Sequence, residues 1–129
     1  MKQIIHLDKQ LEEKLILFEE KCEVICRKLE QNVQAEFEHH NHRIVIELVR
    51  LNKGKIVSDI DVFEDDYESF IELGLEQDEE YYPNGYIPLW KCKTEWFQKI
   101  GYMTNRSLDE IEKIILLIVN EILEDVEGD

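Results

Sequence analysis

Apolar residues recur at Leu11, Leu15, Phe18, Cys22, Ile25 and Leu29, in steps of 4-3-4-3-4. That spacing is one stripe of an α-helix. Ile16, Leu17 and Val24 widen the stripe, and Glu and Lys fill the other side. Asp8 is a fair N-cap, so the pattern predicts a helix from near Asp8 to around Gln31 and Asn32. Period two then takes over. Val33, Ala35 and Phe37 alternate with Gln34, Glu36 and Glu38, which reads as a strand. His39-His40-Asn41-His42 reads as a turn, with Asn41 tolerating a left-handed backbone. Ile44, Ile46 and Leu48 continue on one face, with Val45 and Val49 on the other. Asn52-Lys53-Gly54-Lys55 is a hairpin connection. Ile56, Ser58, Ile60 and Val62 then form one face of a third strand, with Val57, Asp59, Asp61 and Phe63 on the other.

Beyond the third strand the pattern shortens. Asp65 or Asp66 can cap a short helix, Tyr67 to Leu73, that stops at Gly74. Residues 76–93 carry no clear period. Tyr82-Pro83-Asn84-Gly85 is a turn signal, and Tyr86 to Trp90 reads as a short strand placed at an edge by Pro88. Thr94-Glu95-Trp96-Phe97 begins another short segment that ends before Gly101. Ser107-Leu108-Asp109-Glu110 is a capping box. Leu108, Ile111, Ile115, Ile118 and Ile122 follow in steps of 3-4-3-4, predicting a C-terminal helix widened by Ile114, Val119, Leu123 and Val126. The elements amount to one α+β domain over residues 1–129. It has a long N-terminal helix, a three-stranded antiparallel meander, a short helix, an irregular region with a short strand, and a long C-terminal helix. The two long helices are expected on one face of the sheet.

Composition changes the picture mainly through charge. The chain of 129 residues carries 30 acids and 15 bases, a formal charge of -15. A basic nucleic-acid footprint is therefore excluded as the expectation. The excess is uneven: residues 51–90 hold two bases and eleven acids, and all eleven acids fall between Asp59 and Glu80 with no Lys or Arg among them. Such repulsion opposes the compact state. On the interface reading, Asp59, Asp61, Glu64, Asp65, Asp66, Glu68, Asp78, Glu79 and Glu80 steer a basic protein partner, and Tyr81, Tyr82 and Tyr86 anchor it. On the plain reading, the acids are solvated and the tyrosines pack at the domain edge.

Other chemistry is thinner. His39, His40 and His42 lie close together, and Cys22, Cys26 and His6 could join them at zinc. However, both cysteines fall on or beside the apolar stripe, and the spacing matches no zinc pattern. Asp59 and Asp61 could hold Mg²⁺ or act as an acid–base pair, yet no nucleophile motif or phosphate-cradling loop accompanies them. Trp90 and Trp96 read as core or rim residues. Enzyme activity, a metal and a cofactor are not expected. Three cysteines, no membrane-length apolar run and no signal peptide point to the cytoplasm.

A small, acidic α+β chain without a catalytic motif resembles bacterial immunity proteins, which block a toxin domain, often a nuclease. That resemblance implies an inhibitor of a basic toxin and assigns no residue. The inferred order of helix, three strands, short helix, irregular strands and long helix is also similar to type III secretion chaperones, which implies an acidic homodimer holding effector segments. Two further readings are a nucleic-acid mimic and a metal-dependent hydrolase using the histidines. No membrane and no direct nucleic-acid contact is expected.

Overall fold

The computed structural model describes residues 1–57 and 60–128. Strand β1 (Lys2–Ile4) precedes helix α1 (Lys9–Glu38). Strands β2 (Arg43–Asn52), β3 (Lys55–Ile56), β4 (Tyr67–Gln77), β5 (Glu80–Glu95) and β6 (Gln98–Met103) follow, then helix α2 (Leu108–Glu127). The class is α+β, with a six-stranded sheet in the order β1-β6-β5-β4-β2-β3, antiparallel at every pairing.

Helix α1 starts where Asp8 accepts the Leu11 N–H at 2.8 Å, but it continues through the expected strand at 33–38. The physical reason is a degeneracy. Residues 33 and 37 satisfy both a period of two and a helical step of four, and Val33 and Phe37 prolong the stripe of Leu29 into the core. The C-terminal third of the helix does a second job. Gln34 donates to the Ile44 carbonyl and accepts the Ile44 N–H, and Glu30 accepts the Ile46 N–H. These side chains occupy part of a strand edge that would otherwise be open to another chain. The helix gives way at Asn41, whose φ of 63° is left-handed, as expected.

The β2–β3 connection also agrees with expectation: Lys53 and Gly54 have φ of 52° and 79°, the signature of a tight hairpin. Ser58 and Asp59 of the expected third strand lie outside the described residues. Among the described residues only Lys55 and Ile56 of that segment pair with β2, and the expected meander of three full strands is replaced by a sheet of six. The expected helix over Tyr67–Leu73 is a strand instead. Tyr67, Ser69, Ile71 and Leu73 all point to the helix side of the sheet and are buried there, a period of two that overrides the local capping signal. Asp66, at φ 68°, turns the chain into β4. Gly74 is no helix stop; a Cβ there would lie 2.4 Å from the Tyr81 ring.

Residues 80–95 form one long strand. Its register against β4 shifts between Ser69 and Phe70 and between Leu73 and Gly74, which absorbs Pro88 and the Pro83-Asn84-Gly85 signal as bulges rather than turns. The segment around Trp96 is the tip of the β5–β6 hairpin, and β1 joins β6 without any signal in the pattern. Helix α2 begins as expected: the Ser107 hydroxyl accepts the Glu110 N–H, and the Glu110 carboxylate accepts the Ser107 N–H. Among the described residues no helix is long and apolar enough to cross a membrane.

Both helices pack on one face of the sheet. Cys22, Cys26, Leu29 and Phe37 of α1 and Ile111, Ile115, Val119 and Ile122 of α2 meet Ile44, Ile46, Ile71, Leu73, Ile87 and Leu89. A second cluster of Leu15, Val62, Tyr67, Trp90 and Cys92 closes one end. The opposite face of the sheet has no element over it among the described residues.

Candidate functional site

The uncovered face is set by register. On β2 it shows Val45, Glu47, Val49 and Leu51; on β4, Glu68, Phe70, Glu72 and Glu76; on β5, Tyr81, Tyr86, Pro88 and Lys91, the last directly opposite Glu68. Glu47 lies directly opposite Glu72, and Glu72 directly opposite Tyr86. Directly opposed like charges are unfavourable, and here no cation bridges them. Burial pushes the Glu47 carboxyl above its ordinary range, and Glu72, Glu30 and Glu76 push it the same way. The Tyr81 hydroxyl donates to Glu72 at 3.1 Å. Its acidity is weakened by burial and by the surrounding carboxylates. Phe70 and Tyr86 stack at 4.7 Å with a tilt of 50°, yet Tyr86 stays exposed. Arg43 pairs with Glu76 at 3.0 Å at the margin. The result is a half-apolar platform with the uncompensated carboxylates Glu47 and Glu72 at its centre and the cations Arg43 and Lys91 toward its two ends.

The residues expected at an interface divide among three places. Glu68, Tyr81 and Tyr86 lie on this platform. Asp61, Glu64, Asp65 and Asp66 form the loop before β4, where Asp61 accepts the Phe63 N–H and Asp65 accepts the Thr94 N–H. Asp78, Glu79, Glu80 and Tyr82 form the β4–β5 hairpin at the opposite end, with Tyr82 donating to Glu80. The eleven residues of β4 separate the two ends by ~35 Å, so the acids do not make one patch. Asp59 lies outside the described residues. Glu47, Glu72 and Glu76 were not singled out from the sequence. Glu47 belongs to a different third of the chain, and only strand pairing brings it to Glu72. The available signal was alternation: Glu68, Glu72 and Glu76 keep an even spacing that a strand places on one face.

The metal-ligand candidates scatter. His39 and His40 meet edge to face at 5.3 Å at the end of α1, His40 Nε2 lies 3.9 Å from Glu127, and His6 sits before the start of that helix, whose thirty residues span about 45 Å. Cys22 and Cys26 are buried, and burial pushes both thiols up to about 12, against the thiolate that a metal needs. Among the described residues no three His, Cys, Asp or Glu side chains converge as a metal site requires. Trp90 is buried, its indole N–H donating to the Val62 carbonyl at 2.7 Å; Trp96 is exposed.

Comparison with known protein families, characterised proteins and solved structures finds no match for this chain. The element order behind the secretion-chaperone resemblance also changes, because the described residues between β2 and β6 form strands and turns with no helix.

Proposed function

We propose that this protein is a binding module of the immunity-inhibitor kind, which neutralises a basic partner through the open face of its sheet. The observation that supports the reading is the direct opposition of Glu47 and Glu72 on a face left bare by both helices, flanked by Tyr81 and Tyr86. Exposed aromatic rings are the side chains that most often anchor protein partners. Unbridged carboxylates between them favour a partner rich in Lys and Arg and accelerate its approach. A toxin domain whose active site holds phosphate presents such a surface. The acidic loop at Asp61, Glu64, Asp65 and Asp66 and the hairpin at Asp78, Glu79 and Glu80 extend the negative field at both ends and act in steering rather than anchoring.

The experiment co-expresses this chain with the product of the neighbouring reading frame and measures growth and binding. The expected result is rescue of growth and an association rate that falls at least tenfold from 50 to 500 mM salt, both on the order of what electrostatic steering delivers. Glu72→Lys with Tyr86→Ala should abolish rescue. Binding that is indifferent to salt and to that double variant refutes the reading.

A further inference from the structure

A cavity lies beside β1, at the sheet edge opposite β3. Its walls come from three stretches: β1 with the turn after it, the first turns of α1, and the end of β6. Register sets the first and last of these. Lys2 is directly opposite Met103, which is directly opposite the buried Trp90, so Lys2, Ile4 and Met103 all point to the helix side of the sheet. On α1, Leu11, Lys14 and Phe18 stand at steps of three and four and share one helix face, which forms the facing wall. Ile4, Leu11 and Met103 rest on the cluster of Leu15 and Trp90, and Phe18 on the main core, so the floor is packed protein. The space is about 460 Å³, within the ~300–1,000 Å³ of small-ligand sites.

The charge of this cavity is the reverse of the molecule's. Over the chain 30 acids face 15 bases, and four other cavities each have at least one Asp or Glu in their walls. This one has none; its ionisable side chains are Lys2, His6 and Lys14. All three are exposed at the rim, above the half-buried Ile4, Leu11, Phe18 and Met103. Among the described residues neither lysine forms an ion pair. The acids next to them in sequence are engaged or turned away: Asp8 caps α1, and Glu12 and Glu13 lie about 100° and 200° around the helix from Leu11.

We propose that this cavity binds a small amphipathic anion, an aliphatic carboxylate, with its chain on Ile4, Leu11, Phe18 and Met103 and its head between Lys2 and Lys14. Two separate observations select the two ends of the ligand. The apolar floor gains by covering methylene groups, and the unpaired cations at the rim fix the sign of the head. The total charge of -15 does not oppose this, because at physiological salt its field is screened over about 8 Å and the nearest charges decide. A nucleotide would find a floor without the hydrogen-bonding groups that its base and sugar need. The cavity is on the helix side at the β1 edge, whereas Glu47 and Glu72 are on the opposite face on β2 and β4, so this proposal and the proposed function fail separately.

The test titrates the full ¹⁵N-labelled chain with decanoate below its micelle concentration and follows the amide shifts. The expected result is saturable shifts confined to residues 2–6, 11–18 and Met103, with a dissociation constant of about 1 mM or below, which about five covered methylenes supply. Decyltrimethylammonium has the same tail and the opposite charge and should leave these amides unmoved. Acetate, the head alone, should not saturate. Lys2→Gln with Lys14→Gln, both at exposed sites, should weaken decanoate at least about threefold, with the spectrum elsewhere unchanged. Ile5→Glu, at a side chain 51% exposed on the same rim, brings in a carboxylate and should weaken it as much. The absence of saturable shifts below about 10 mM overturns the proposal. So do shifts centred on Leu17 and Val24 or on the open face, an equal response to decyltrimethylammonium or to acetate, or binding that the lysine substitutions leave intact.

Discussion

Glu47 on β2 and Glu72 on β4 occupy directly opposed positions on the uncovered face of the sheet. The pairing trades stability for surface charge. Glu72→Gln should therefore stabilise the protein at pH 7, by about 0.2–1 kcal/mol, while slowing capture of a basic partner. The pH dependence has a definite sign. The Glu47 carboxyl is raised in the folded state, so its contribution is fully present below the unfolded value of about 4.3 and is lost as pH rises through the folded one. Urea midpoints at pH 4.5 and 7 should show this loss in the parent protein and a smaller one in Glu47→Gln. An equal loss in both would exclude the assignment.

A buried ion pair locks α1 to the sheet. Arg50 donates from Nε to Glu19 at 3.1 Å and from Nη1 to Glu23 at 3.0 Å, and the Tyr67 hydroxyl also donates to Glu19 at 2.8 Å. Glu19 is only 1% exposed. Arg50→Ala leaves that carboxylate with the Tyr67 hydroxyl alone and should cost about 3–5 kcal/mol. Arg50→Met combined with Glu19→Leu removes both charges and should cost much less. Denaturation curves of the single and double variants check the difference.

Gly101 and Gly54 are glycine for different reasons. A Cβ at Gly101 would lie 2.0 Å from the ring of the buried Trp90, whereas a Cβ at Gly54 would meet nothing within 4 Å. Gly101→Ala must displace Trp90 and its bond to Val62, for a cost of at least about 1–3 kcal/mol, visible as a change in the near-ultraviolet dichroism of the indole. Gly54→Ala strains only the backbone, at φ 79°, and should cost about 1 kcal/mol with that spectrum unchanged.

The core thiols predict an alkaline limit. Burial raises Cys22 and Cys26 to about 12. Their contribution is present below the unfolded thiol value of about 8.5 and falls as pH climbs toward the folded one, by about 1.4 kcal/mol per unit for each thiol. Thermal melts from pH 8 to 10.5 should drop steeply, and the drop should be shallower in Cys26→Ala measured against its own value at pH 8. The native thiols should resist a thiol reagent at pH 8 over the time in which the unfolded chain reacts fully.

Local pattern carried both helix starts, because a cap at Asp8 or Ser107 is chemistry between residues three apart, and it carried the turns at Asn41 and Gly54. Composition put Glu68, Tyr81 and Tyr86 among the interface candidates, and register places these three on the open face. Packing reversed other segments. Val33 to Phe37 fits a strand and a helix equally until a core exists to receive Val33 and Phe37. Tyr67 to Leu73 reads as a capped helix until β2 and β5 pair with it on both sides. The opposition of Glu47 and Glu72 is a fact of strand register, which no spacing within either segment encodes. Short-range energetics act over a few residues and are visible in one stretch of chain; the choice among near-equal alternatives, and the face each side chain shows to water, is made by partners distant in sequence.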